Sequence, residues 1–135
     1  AYERYEYHEV FHQVQNFCAV DLGGFYLDVV KDRLYCSPAG SLERRSAQSS
    51  LYQLADHLAR VLAPILVHTA EEVWQALPEA REKSASVHLA AFPDGHAEWR
   101  DDALAADFVR LRELRDRVNA AIEPLKPKSK NDPNY

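Results

Sequence analysis

Lys31, Arg33, Arg44 and Arg45 stand against only Asp32 and Glu43 within residues 31–48, and Gln48 closes that stretch. Guanidinium and ammonium groups clustered in this way neutralise phosphates, and a glutamine amide offers a donor and an acceptor to the edge of an unpaired base. The same charges have an internal outlet. On a helix Lys31 lies three places after Asp28, and such an ion pair is worth about 0.2–0.5 kcal/mol. Spacing alone leaves both readings open. A second basic island, Lys126, Lys128 and Lys130 against Asp132, lies near the end of the chain. Acid gathers at the start, where Glu3, Glu6, Glu9, Asp21 and Asp28 outnumber Arg4.

No catalytic constellation assembles from the remaining groups. His68 and Glu72 are four apart, the spacing of two metal ligands on one helical face, but Thr69 read as a helix cap leaves His68 outside the helix, and no third ligand is in register. His8, His12, His57, His88 and His96 are scattered, which is the pattern of surface or partly buried imidazoles. There is no GxSxG elbow and no glycine-rich phosphate cradle, and "KPKSK" lacks the flanking strand and glycines of a phosphate loop. The expected sets of catalytic, cofactor-binding and metal-ligating residues in this chain are empty.

The elements that must position the basic groups follow from hydrophobic period. With 135 residues, 47% hydrophobic and 27% charged side chains and four glycines, the chain fits one helical domain. A net charge of −5 excludes the uniformly basic surface of indiscriminate nucleic-acid binders. No apolar run approaches a membrane span and the first residues lack the features of a signal peptide, so a soluble cytoplasmic protein is expected, with Cys18 and Cys36 as free thiols.

Tyr7, Val10, Phe11, Val14, Phe17 and Cys18 step by three or four, which predicts a helix over about 2–20. Gly23 and Gly24 interrupt it, and Leu22, Phe25, Tyr26, Val29, Val30 and Leu34 predict a second helix packed on two sides. "CSPAGSLER" reads as a loop, with the longest helix running from Ser46 until Pro64 forces a kink or restart. Thr69 and Glu72 have the spacing of a capping box, in which each side chain satisfies a backbone amide of the other residue. Trp74 is expected in the core. "SASVHLAAFP" alternates and predicts an extended segment or single strand, and a last helix runs from about Asp102 to Glu123. The fold class is therefore all-α, a bundle of four to five helices with one short extended segment.

"NFCAVDLGGFYLDVVKDRLY", "RRSAQSSLYQLADHLARVLAPILVHTAEEVWQALP" and "SVHLAAFP" together resemble the anticodon-binding region of isoleucyl-tRNA synthetases, class I synthetases. The first stretch is the most specific. Isoleucine enzymes typically carry serine where Gly23 stands, and valine enzymes lack the Lys31–Tyr35 sequence. The Ala63–Leu66 and Glu71–Trp74 elements are shared more widely across the group.

The resemblance implies a tRNA-binding module whose partners are the anticodon arm of isoleucine tRNA and the catalytic domain of the same parent chain. Residues 1–93 would be the anticodon-binding helical domain, incomplete at its N-terminus, 94–123 a helix of the following junction, and 124–135 a flexible tail. The parent uses ATP with magnesium, and many bacterial members carry zinc. The HIGH and KMSKS signatures and the zinc-binding cysteines are absent here, so the chain alone is expected to be inactive, as a monomer or weakly self-associating. Arg44, Arg45, Lys31, Arg33 and Gln48 are the expected tRNA-binding residues. A helical protein-interaction module without RNA binding is the competing expectation, favoured by the acidic net charge.

Overall fold

A computed structural model of the chain describes residues 1–78 and 83–125, and these divide into two compact units, Ala1–Pro93 and Asp94–Tyr135. The elements formed by the described residues are all helical, with no strand among them.

In the first unit, α1 (Tyr7–Asn16) runs directly into a π-helical segment, Phe17–Tyr26, and on through α2 (Leu27–Val29) and α3 (Lys31–Tyr35). Gly23 and Gly24 do not separate two helices as the period had predicted; they lie inside the wide π turns, whose closing amide, that of Leu27, bonds the Leu22 carbonyl five residues back. Ahead of α1, a 3-10 turn (Tyr2–Arg4) ends at Tyr5, held left-handed at φ 56°, so the first helix starts later than its apolar stripe.

The π segment has a register effect. Val10 and Val30 are both buried, at 6% and 2% exposure. They are twenty residues apart, and at about 100° per residue a continuous α-helix would put them roughly 200° apart, on opposite faces. Ten residues wound at roughly 4.4 per turn take up nearly all of that difference. The arm from α1 to α3 thereby presents one inward face. Leu27 and Val29 remain about half exposed, so this arm packs on one side and not on two.

The arm folds back along α4 (Leu42–Leu62). Its α3 end packs against α4, while the Tyr2 hydroxyl at the other end donates to the Val61 carbonyl at 2.6 Å, which makes the pair antiparallel. α4 starts four residues before the expected Ser46 because Ser41 caps it, its hydroxyl accepting from the Arg44 amide at 3.3 Å. Leu42 in that first turn is exposed, so the apolar stripe carried no sign of it.

Pro64 does interrupt the chain: α4 ends at Leu62 and α5 (Val67–Ala76) restarts after a tight turn in which the Ile65 and Leu66 amides both bond the Leu62 carbonyl. That turn is shorter than the capping box required. α5 begins two residues before Thr69, with Leu66 at its cap and no side-chain bond there, so Thr69 and His68 are inside the helix.

Trp74 is core as expected, 4% exposed, packed with Ala59, Ala63, Ala70 and Val87. Its indole N–H donates to the Ser84 carbonyl at 2.9 Å. The segment 83–93 is extended at Ser86 and Ala90 with one 3-10 turn, Val87–Leu89, between them. Glu71 fastens it: its carboxylate accepts from the Ser86 hydroxyl at 2.8 Å and the Val87 amide at 3.0 Å.

The second unit holds a 3-10 turn (Ala97–Trp99) and α6 (Asp102–Ile122), capped by Asp101, which accepts from the Leu104 amide at 2.9 Å. The helix has the bounds its period predicted and ends in a 3-10 turn at Pro124. Its stripe of Leu104, Phe108, Leu111, Val118 and Ile122 is 39–54% exposed. Most of the expected tail, and with it Lys126, Lys128 and Lys130, lies outside the described residues.

Candidate nucleic-acid interface

The five expected contact residues fall on α3 and the first two turns of α4. Lys31 and Arg33 are two residues apart on a short helix, about 200° around its axis, so they leave α3 on opposite flanks of the Val30–Leu34 stripe. Lys31 donates to the Asp28 carboxylate at 2.9 Å, and this hydrogen bond and the charge behind it raise the lysine pKa. Both side chains of this pair are more than half exposed, so the ammonium is tethered without being removed from solvent. Arg33 is exposed in the last turn of α3.

Arg44 and Arg45 are neighbours in sequence and part company in space. Arg44 shares the packed face with Ala47; its Nη1 donates to the Ser37 carbonyl at 3.1 Å and its Nε is buried without a hydrogen-bond partner. It therefore closes the 36–41 connection against α4. Arg45 points about 100° further round, exposed, and its Nη1 donates to the Gln48 side-chain oxygen at 3.3 Å. That bond leaves the Gln48 amide hydrogens and most of the guanidinium edge open to a ligand.

In an antiparallel helix pair, positions at the same angle from the packed face lie on the same flank. Lys31 follows Val30 by one residue, and Gln48 follows Ala47 by one, so Lys31 and Gln48 emerge on one flank, with Arg45 just beyond. Arg33 takes the other. The sequence island thus resolves into a flank of Lys31, Gln48 and Arg45, a structural Arg44, and a separate Arg33.

Other ionic groups are occupied within the fold. Arg60 pairs with Asp56 one turn earlier, and its Nη1 reaches the Ala91 carbonyl at 3.4 Å, on the rim of a cleft of about 310 Å³ that Tyr52, Trp74 and Lys83 also line. His68 and Glu72 do stand four apart on α5, but no group of three potential metal ligands forms among the described residues. The period also passed over a run of arginines on α6: Arg110, Arg112, Arg115 and Arg117, with Asp107, Glu113 and Asp116 between and before them. Arg110 is paired with Asp107 at 3.5 Å and Arg112 and Arg115 are half-buried. The alternating "RLRELRDR" was the available signal.

Among the described residues no helix is long and apolar enough to cross a membrane. The sequence profile of the anticodon-binding domain of tRNA ligases matches residues 1–134. The chain is 48% identical to an isoleucine–tRNA ligase of Moorella thermoacetica over 123 residues, which is 91% of this chain and 13% of the relative. It is 50% identical over 125 residues to that of Nitrosomonas europaea, covering 90% of this chain and 13% of the relative. The chain thus spans about 13% of the length of the curated relatives it matches. With a helical arm folded on α4, one exposed polar flank and a profile matched almost end to end, the chain belongs to the family of anticodon-binding domains of tRNA ligases.

Proposed function

We infer that this chain is the anticodon-arm binding module of an isoleucine–tRNA ligase, an enzyme that joins isoleucine to its tRNA with ATP in the cytoplasm. The reading is carried by the identity to isoleucine–tRNA ligases over nine-tenths of the chain. Residues 1–93 form the binding domain, and 94–123 belong to the junction that follows. Lys31 and Arg45 meet phosphates, and the Gln48 amide meets an unpaired base, because the edges of paired bases in an A-form stem lie in a groove too deep and narrow for side chains. Arg33 serves a separate contact from the far flank, and Arg44 supports the surface from behind. ATP, magnesium and any zinc act on other parts of the parent chain, whose catalytic domain is the module's second partner.

The test is binding of the chain to a tRNA with an isoleucine anticodon, beside one with an unrelated anticodon, at 50 and 200 mM salt. Tighter binding of the first, weakening as salt rises, is expected. Equal affinity for both tRNAs, or affinity indifferent to salt, overturns the reading. The competing protein-interaction module draws on the half-exposed apolar stripe of α6. Arg45→Glu separates the two, since only an RNA-binding surface loses affinity for tRNA through that change.

A further inference from the structure

The π-helical segment bears directly on the proposed RNA surface. Lys31 follows the buried Val30 by one residue, so whatever sets the angle of Val30 about the arm also decides whether the Lys31 ammonium emerges on the flank of Gln48. At Gly23 and Gly24 the wide turns leave little room for a side chain. A Cβ on Gly23 would lie 3.1 Å from the Cys18 carbonyl oxygen, and one on Gly24 would lie 3.3 Å from that of Ala19. Both oxygens are five residues back, the acceptors of π register. Alanine also favours α-helix over glycine. Alanine at both positions therefore acts twice in one direction, against the π turn and for the α turn.

We propose that Gly23 and Gly24 are positioning residues: they admit the π register that carries Lys31 to the flank of Gln48 and Arg45. The functional half of this statement rests on the RNA-binding reading above; the register half does not. The geometry supplies its own control. Deleting both glycines leaves Val10 and Val30 eighteen residues apart, about five α-helical turns, which returns them to one face with no π segment at all. Deleting Gly24 alone leaves nineteen, about 100° out of register.

The experiment compares Gly23→Ala with Gly24→Ala combined, deletion of Gly24, and deletion of both glycines. Spin labels at positions 31 and 48, in a chain carrying Cys18→Ser and Cys36→Ser, report register by pulsed EPR distance. Unlabelled variants with Lys31 and Gln48 intact report affinity for the isoleucine-anticodon tRNA. The double alanine variant and the single deletion are expected to lengthen the distance and weaken tRNA binding about tenfold, whereas the double deletion restores the distance and brings affinity within about twofold of the parent. A distance unchanged in all three variants overturns the register role. Distances that move as expected with affinity unmoved overturn the placement of RNA on this flank and leave the register intact. Should the first two variants fail to fold, the double deletion decides: parental distance and affinity support the proposal, and loss of either overturns it.

Discussion

Glu71 receives three neighbours: Gln75 at 2.7 Å, the Ser86 hydroxyl and the Val87 amide, and these hydrogen bonds hold its carboxyl below the usual range. A carboxyl depressed in the folded chain stabilises it above its unfolded value of about 4.5, and that contribution fades as pH falls through the lower folded value. Melting temperature measured from pH 3 to 6 should therefore fall less steeply for Glu71→Gln than for the parent, and superimposable curves would show that the carboxylate does not fasten the 86–87 turn. Trp74→Ala should cost about 3–5 kcal/mol by urea denaturation, a large share of a typical domain's stability. Trp74→Phe, which keeps an aromatic ring but loses the indole bond to Ser84, should cost about 1 kcal/mol for that bond plus a packing loss smaller than that of alanine. The two adjacent arginines should part in the same way they part in space. Arg45→Ala is expected to lower tRNA affinity and reduce the salt slope by about one while leaving the melting temperature alone, and Arg44→Ala to lower the melting temperature. Identical profiles for the two would contradict the geometry that separates them.

Helix ends and helix register account for most of the differences between period and fold. The 3.6 period located α4, α5 and α6 because each has an amphipathic stripe, and Pro64 marked the α4–α5 break because no proline amide can continue the ladder. It missed the first turn of α4, where the only cue is Ser41 as a cap ahead of the exposed Leu42. Ser41→Ala should cost about 1 kcal/mol, read as a shift in the urea midpoint at constant slope, and no shift would mean the helix start is set by the 36–41 connection alone. The Thr69 and Glu72 pair had the spacing of a cap without being one, since the tight turn after Pro64 begins α5 two residues earlier. A π segment leaves no mark in a 3.6-residue analysis, so the two apolar series on either side of Gly23 and Gly24 read as two helices broken at the glycines.

For the chain as a whole, the proposed function separates binding from catalysis. It spans about 13% of its relatives and carries no HIGH or KMSKS signature, so it should retain a salt-sensitive affinity for tRNA and transfer no isoleucine to it when supplied with ATP and magnesium. Detectable aminoacylation by the purified chain would contradict the assignment of chemistry to the rest of the parent.

Helical class, the core position of Trp74 and the family resemblance were all legible in the order of residues, because each depends on neighbours within one or two turns. The arrangement of the basic groups was not. Lys31, Arg33, Arg44 and Arg45 form one basic cluster in sequence, and charge spacing treats them alike. Their separation into a flank, a half-buried support and an opposite face depends on which way two antiparallel helices turn toward each other. That angle is set by buried valines twenty residues apart and by the slower winding between them, quantities that exist only once the arm has packed.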